Sequence, residues 1–310
     1  MTSAGGDGGV PRRRLCVCTR IHQNNADRPV DLVKVREFVD AALQYADSVA
    51  IAVGPTPPTT NHSDQTSGTG CARDGQVHRP DSLLHAVSRV AREATEAAHV
   101  SGSHGRRYGD EDGEGGGAGR SSALVEVFMV TPWGKFLPAL NALLGFAARD
   151  GADLVMFQSL ETLVGQDAVL EMEKQMGPGD LVVGAALTGH AFHDGEIVEL
   201  TGVTTPWNTL ALWDVAKVAK LGFLGVAEGH IPGVAAGIEE VTAIATMQAL
   251  LGEDHARAKL LRLPQVQWQT DWEDEGRRQW HESKMASKVE RAEKQMMALG
   301  IKRGTVHHLA

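Results

Sequence analysis

Residues 133–161 read WGKFLPALNALLGFAARDGADLVMFQSLE, from Trp133 to Glu161. Leu137, Leu140, Leu144 and Ala148 recur at three- and four-residue steps, the spacing that gathers apolar side chains on one face of a helix. A short turn follows. The run from Asp153 to Phe157 is apolar after its first residue and too short for a helix, which fits a strand buried on both faces. The chain leaves that strand through Gln158, Ser159 and Glu161. Helix, turn, buried strand and polar exit together make the repeating unit of an α/β domain.

The same unit repeats outward from this stretch. Upstream, Leu15–Thr19 and Ser48–Val53 are strand-length apolar runs. Between them Val30–Tyr45 has helical spacing, with Asp31 in its first turn, where a negative charge suits the helix dipole. Asp81–Val100 reads as a helix and Val125–Val130 as a strand. Downstream, Asp167–Met176 reads as a helix stopped by Pro178-Gly179, Leu181–Ala186 as a buried strand and Glu196–Leu200 as a short one. Thr209–Leu221 and Gly237–Leu250 read as helices. Ala258–Trp268 holds one or two strands around Pro264, and Glu273–Leu299 is a long charged helix stopped by Gly300.

This alternation predicts the α/β class: one Rossmann-like domain over residues 14–270, with a mostly parallel mixed sheet flanked by helices. Residues 1–13 read as a flexible tail and 271–310 as a helical extension. Residues 54–80 and 101–122 are low in complexity and read as insertions within the domain.

The totals narrow the function. A formal net charge of -9 lacks the basic field that nonspecific nucleic-acid binding needs. No apolar run approaches the roughly 18 residues of a membrane span, and the first residues have no apolar core of a secretory signal. Three cysteines argue against a disulfide framework. Cys16 and Cys18 share one face of a strand and read as buried thiols of a reducing, cytoplasmic protein. The glycine-rich phosphate loops, the G-x-S-x-G elbow and the C-x-x-C zinc pair are all missing.

In a parallel sheet, ligands bind beyond the carboxyl ends of the strands. The candidate positions are therefore Thr19-Arg20, Gly54, Thr131–Lys135, Gln158–Glu161 and the loop after Ala186. That loop carries His190, His193 and Asp194, which are metal ligands or merely solvated.

Gly134-Lys135 followed by Ala139-Leu140-Asn141-Ala142-Leu143 resembles the G-K-x-x-A-L-N helix of family 2 glycosyltransferases, inverting enzymes with the GT-A fold of the nucleotide-diphospho-sugar transferases. The spacing to the next strand matches as well. In that family the strand ends in an Asp-x-Asp signature that holds a divalent cation on the donor's diphosphate. Here the exit Phe157-Gln158-Ser159-Leu160-Glu161 has neither aspartate, leaving Glu161 as the carboxylate able to bind Mn or Mg through oxygen. Leu200-Thr201-Gly202 through Trp207-Asn208-Thr209, then Gly222-Phe223, resembles the acceptor-side segment. Gly237-Ile238-Glu239-Glu240 resembles the Glu-Asp motif, whose carboxylate is the catalytic base.

The resemblance covers roughly residues 14 to 270 and implies a nucleotide-sugar donor, an acceptor it does not name, and Glu239 or Glu240 as base. Acids in the first turn of a helix also suit the dipole without any catalytic role. Thr19, Arg20, Lys135, Gln158 and Ser159 lie at exits where they can meet the donor. Arg20 and Lys135 serve equally as surface cations. Gln158 can bond a base, a ribose or neighbouring backbone. Asn141 beside the exit can hold a loop, and Trp207 is a stacking platform or a core residue. The terminal helix, with Met285, Val289, Ala292, Met296 and Leu299, reads as a docking or dimerising helix, hence a homo-oligomer. Two other readings stand beside the transferase: a non-catalytic nucleotide- or partner-binding module, and a nucleotidyltransferase.

Overall fold

Strand β1 (Leu15–Ile21) shows why the sheet is covered on both sides. Its side chains alternate, so Cys16 and Cys18 enter one hydrophobic core while Leu15 and Val17 enter the other. The computed structural model describes residues 12–23, 29–55, 81–104, 123–268, 279, 283 and 285–310. The predicted insertions at 54–80 and 101–122 lie outside the described residues except at their first positions, as does the tail before residue 12.

β1 pairs in parallel with β2 (Ser48–Val53) and β4 (Leu154–Gln158), and β2 with β3 (Leu124–Met129). Beyond β4 comes β8 (Leu210–Asp214), antiparallel to both β4 and β6 (Asp180–Ala185). β6 pairs in parallel with β9 (Arg257–Leu261), and β9 with β11 (Thr305–Leu309). β7 (Ile197–Glu199) closes that edge antiparallel to β11. The order across this sheet is β3-β2-β1-β4-β8-β6-β9-β11-β7. A separate two-stranded ribbon joins β5 (Thr162–Leu163) to β10 (Gln267–Trp268).

One face is covered by α1 (Leu32–Ala42), α2 (Asp81–His104) and α4 (Gln166–Gln175), through Val35, Phe38, Val87 and Met172. The other is covered by α3 (Leu137–Arg149), α5 (Val215–Val218), α6 (Glu239–Leu251) and α7 (Lys288–Leu299), through Leu140, Val218, Ile244 and Met296. The α/β expectation holds: a mostly parallel mixed sheet flanked by helices.

Two expectations fail. Thr209–Leu221 is not a helix: it begins with β8, whose Ala211 and Trp213 face one core and whose Leu210 and Leu212 face the other. A strand buried on both faces has no polar side, so its apolar run merged in sequence with the short helix behind it. Asp214 marks the true boundary, accepting a hydrogen bond from the Lys217 N–H at 2.9 Å as the N-cap of α5. The helical reading of the C-terminal segment also misses β11, an interior strand between β9 and β7. α7 does not stand apart either. Ala292 and Met296 are core residues, so much of the face read as a docking surface is used within the chain.

The thiols of Cys16 and Cys18 are buried, with sulfurs 3.6 Å apart. Burial pushes the Cys18 thiol well above its ordinary range, with the neighbouring Cys16 adding to the effect. No helix among the described residues is long and apolar enough to cross a membrane.

Candidate active site at the carboxyl edge of the sheet

Because β8 runs against β4 and β6, its start lies where they end. The Ser159 N–H donates to Thr209 O at 2.9 Å, binding the exit of β4 to the entrance of β8. Trp207 and Asn208, just ahead of β8, therefore sit at the carboxyl edge, where α6 also begins.

α6 starts unusually. Its N-cap, Ile238, has φ 61° and offers no capping side chain. A β-branched residue at positive φ is strained. The first two helical residues are Glu239 and Glu240, each only 5% exposed. Asn208 holds both: its backbone N–H donates to Glu240 Oε1 at 2.5 Å, and its Nδ2 donates to Glu239 Oε1 at 3.2 Å. Its remaining oxygen, Oδ1, accepts from Trp213 Nε1 at 3.0 Å, fixing the amide's orientation. Burial pushes the Glu240 carboxyl up to about 7, the adjacent Glu239 adds to this, and the Asn208 N–H works against it. The result is two adjacent carboxylates that share one clamp, with ionisation of Glu240 disfavoured. Asn208 escaped the sequence reading as an individual site residue because nothing in its neighbourhood signals that it reaches a helix some thirty residues on.

Near the exits of β1 and β2, His22 stacks on Trp133 with ring centroids 5.0 Å apart. Arg20 is exposed, its guanidinium 5.2 Å from the centroid of the Phe136 ring. Lys135, the exposed residue before Phe136, directs its Nζ toward Gly229, 3.0 Å from where a Cβ there would stand. The start of α3 beside them is already occupied. Buried Glu228 accepts from the N–H groups of Lys135 and Leu137, the latter at 3.1 Å. A carboxylate satisfying those donors removes that helix end as an anion site.

The other residues singled out in sequence are placed as follows. Thr19 is buried within β1. Asn141 reaches across to the backbone of Phe223, holding the turn after α5. Gln158 is buried; its amide accepts from Tyr45 Oη at 3.3 Å and donates to Thr162 O at 3.0 Å. Ser159 Oγ donates to the Glu161 carboxylate, a contact internal to the β4 exit. Gln158 and the turn after it also line a cavity of about 330 Å³ toward α1, whose lining residues do not include the glutamate pair.

Trp207 is 3% exposed and covered on both faces. The His190 ring stacks on it at 3.5 Å, and Lys288 Nζ sits 2.8 Å from its centroid; both cannot share one side. A stacking platform needs an open face, and this ring has none. His190 is committed as well. Its Nδ1 lies 2.8 Å from the Leu187 N and 3.0 Å from the Leu187 O, and its Nε2 lies 2.9 Å from Thr205 O. Burial lowers its pKa to about 4. Neither ring nitrogen is left to bind a metal.

No cluster of three or more metal-ligating side chains occurs among the described residues. Glu161, with one oxygen engaged by Ser159, does not by itself amount to a cation site, so the described residues do not form a protein-held metal site.

No family model and no curated protein matches the chain. Solved structures do resemble it. One is a mycobacterial protein, at TM-score 0.46 and 8% identity, covering 96% of this chain and 84% of that one. A second is glucosyl-3-phosphoglycerate synthase of M. tuberculosis, at TM-score 0.45 and 11% identity, covering 92% and 80%. A third is 4-diphosphocytidyl-2C-methyl-D-erythritol synthase from Anaerococcus prevotii, at TM-score 0.33 and 8% identity, covering 67% and 73%. Overlaps this loose carry no argument about any residue or reaction.

Proposed function

We propose that the chain transfers a sugar from a nucleotide-sugar donor to a hydroxyl acceptor, with Glu240 as the base. The observation that carries this reading is the buried Glu239–Glu240 pair at the carboxyl edge of the sheet. There Asn208 clamps both acids and Glu240 is held near neutrality. A general base works best when its pKa lies near the operating pH. In the proposed step Glu240 takes the acceptor's hydroxyl proton. The acceptor oxygen forms a bond to the anomeric carbon from the side opposite the leaving group, inverting that centre. The bond from that carbon to the diphosphate breaks, and the nucleoside diphosphate leaves with the electron pair. Arg20 and Lys135, exposed cations near strand exits, suit the charge that develops on it.

The test is binding first and turnover second. The full chain is titrated with uridine and guanosine diphosphates, with and without manganese, while thermal unfolding is followed. A saturable rise in Tm supports a nucleotide site. A dependence on manganese would show a cation entering with the diphosphate. Loss of a nucleotide-sugar in the presence of the wild-type chain, abolished in Glu240→Gln with the Tm rise retained, identifies the base. A Tm rise with no turnover favours a binding module instead. No rise with either nucleotide rejects the reading.

A further inference from the structure

Helix α7 carries polar side chains that a surface helix does not ordinarily bury. Lys288 is 8% exposed, Arg291 9% and Gln295 0%. Arg291 and Gln295 turn to the segment that launches α6. Arg291 Nη1 donates to Ala236 O at 2.7 Å. Gln295 Nε2 donates to Ala235 O at 2.9 Å and Gly237 O at 2.6 Å. A Cβ on Gly237 would lie 2.5 Å from Arg291 Nη1, so the guanidinium rests on the backbone two residues before Glu239. Lys288 lies over Trp207, the residue before Asn208. Two buried cations, one turn apart, thus approach the glutamate pair by separate routes, one through residues 235–237 and the other through Trp207 and Asn208.

Cations taken out of water are costly unless a negative charge answers them. We propose that Arg291 and Lys288 are positioning residues for Glu240: they hold the start of α6 in place and answer the charge of the glutamate pair, setting the pH at which Glu240 gives up its proton. The inference rests on Glu240 being the base of the proposed reaction, but its first test does not need that reaction.

Among the described residues, the following groups bear on Glu240. Glu239 is on its own helix, Asn208 comes from the segment before β8, and Lys288 and Arg291 come from α7. Glu228, in the 3-10 turn Gly225–Glu228, is turned to the backbone of Lys135 and Leu137. His190, beyond Trp207, has its pKa lowered to about 4 by burial. Lys288 favours the ionised form of Glu240. Burial lowers the Arg291 pKa, while Glu239 first and Glu240 second work to raise it, a separate attraction from that of Lys288.

The experiment follows side-chain carboxyl carbons by NMR across pH in the full chain labelled with 13C-glutamate, with Glu240 assigned by its loss in Glu240→Gln. Arg291→Met and Lys288→Met each remove a charge while keeping an unbranched chain. Each is expected to raise the Glu240 midpoint by roughly one pH unit. Arg291→Lys keeps the charge and is expected to restore most of the wild-type midpoint, which a purely structural role would not do. If Arg291→Met does not fold, Lys288→Met and Arg291→Lys still decide the matter. Unmoved midpoints in folded variants overturn the proposal. Moved midpoints in a chain that binds no nucleotide uphold the coupling and reject the transferase reading. Turnover with unmoved midpoints does the reverse.

Discussion

Asn141 grips Phe223 with both ends of one amide: its Oδ1 accepts from the Phe223 N–H at 2.8 Å and its Nδ2 donates to the Phe223 carbonyl at 3.0 Å. Phe223 in turn meets Trp213 and Phe157 edge-on, at centroid distances of 5.3 and 5.5 Å. An exposed asparagine on α3 therefore seats a core ring contributed by the turn after α5. Asn141→Ala removes both bonds and should cost about 1–2 kcal/mol, read as a lower urea midpoint. Asn141→Asp keeps the acceptor but loses the donor, and should fall between the two. A variant as stable as wild type would show that the ring seats itself.

Asp180 gives a pH dependence at the acid end. It is fully buried at the start of β6, with Arg257 Nε at 2.9 Å and Lys259 Nζ at 2.8 Å. Burial pushes its carboxyl up, but Lys259, Arg257 and the Gly177 N–H together outweigh this and hold it below the usual range. A carboxyl lowered on folding stabilises the fold above its unfolded pKa, and that contribution disappears as pH falls through the folded value. Stability measured by urea should therefore drop on acidification below the ordinary carboxylate range. In Asp180→Asn that drop should be shallower. At neutral pH the same variant should lose on the order of 3 kcal/mol, because Lys259 and Arg257 lose their counter-charge. An unchanged acid limb would assign it to other carboxylates.

Glu240 gives a dependence of opposite sign. Its carboxyl is raised by burial first and by Glu239 second, to about 7. A carboxyl raised on folding favours the fold most below its unfolded pKa, and that benefit is lost as pH rises through the folded value. Glu240→Gln should gain on the order of 3 kcal/mol relative to wild type at pH 8 and almost nothing at pH 4. The acid should thus lower stability where the proposed reaction needs it ionised. Equal stability differences at both pH values would show that Glu240 titrates normally.

Gly237 adopts φ 105° and lies against Arg291. Gly237→Ala meets both a backbone conformation that L-residues avoid and a contact 2.5 Å from a buried guanidinium. The expected loss is about 1–3 kcal/mol, accompanied by displacement of Arg291. Chemical denaturation checks the first and the Glu240 midpoint the second.

Much of the sheet was legible because most of its strands are short apolar runs separated by helices with one wet side. The limits of β2 were read to the residue. β8 was hidden by its central place: Leu210–Trp213 is apolar throughout, and only Asp214 hinted at a break. β11 was hidden by chemistry. Its buried His308 looks polar in sequence, yet its Nδ1 accepts from the His193 N–H at 2.9 Å and its Nε2 donates to Thr204 O at 3.0 Å. Glu239 and Glu240 were legible as acids opening a helix. Their environment was not, because Asn208, Lys288 and Arg291 reach them only through tertiary packing.

The position of β11 has a consequence for how the chain is made. β7 takes its place in the main sheet through β11 alone, and β11 occupies residues 305–309. Until those residues are synthesised, β7 has no partner in the sheet and β9 presents an open edge. α7, which braces the glutamates, also emerges after every other helix described here. A ribosome can thus complete the strands from β1 to β4 early, but a nascent chain gains the assembled site only once α7 and β11 have emerged. Pairing that spans such sequence distances is slow to form, so a chain still lacking residues 305–309 would meet the cell with an unprotected edge.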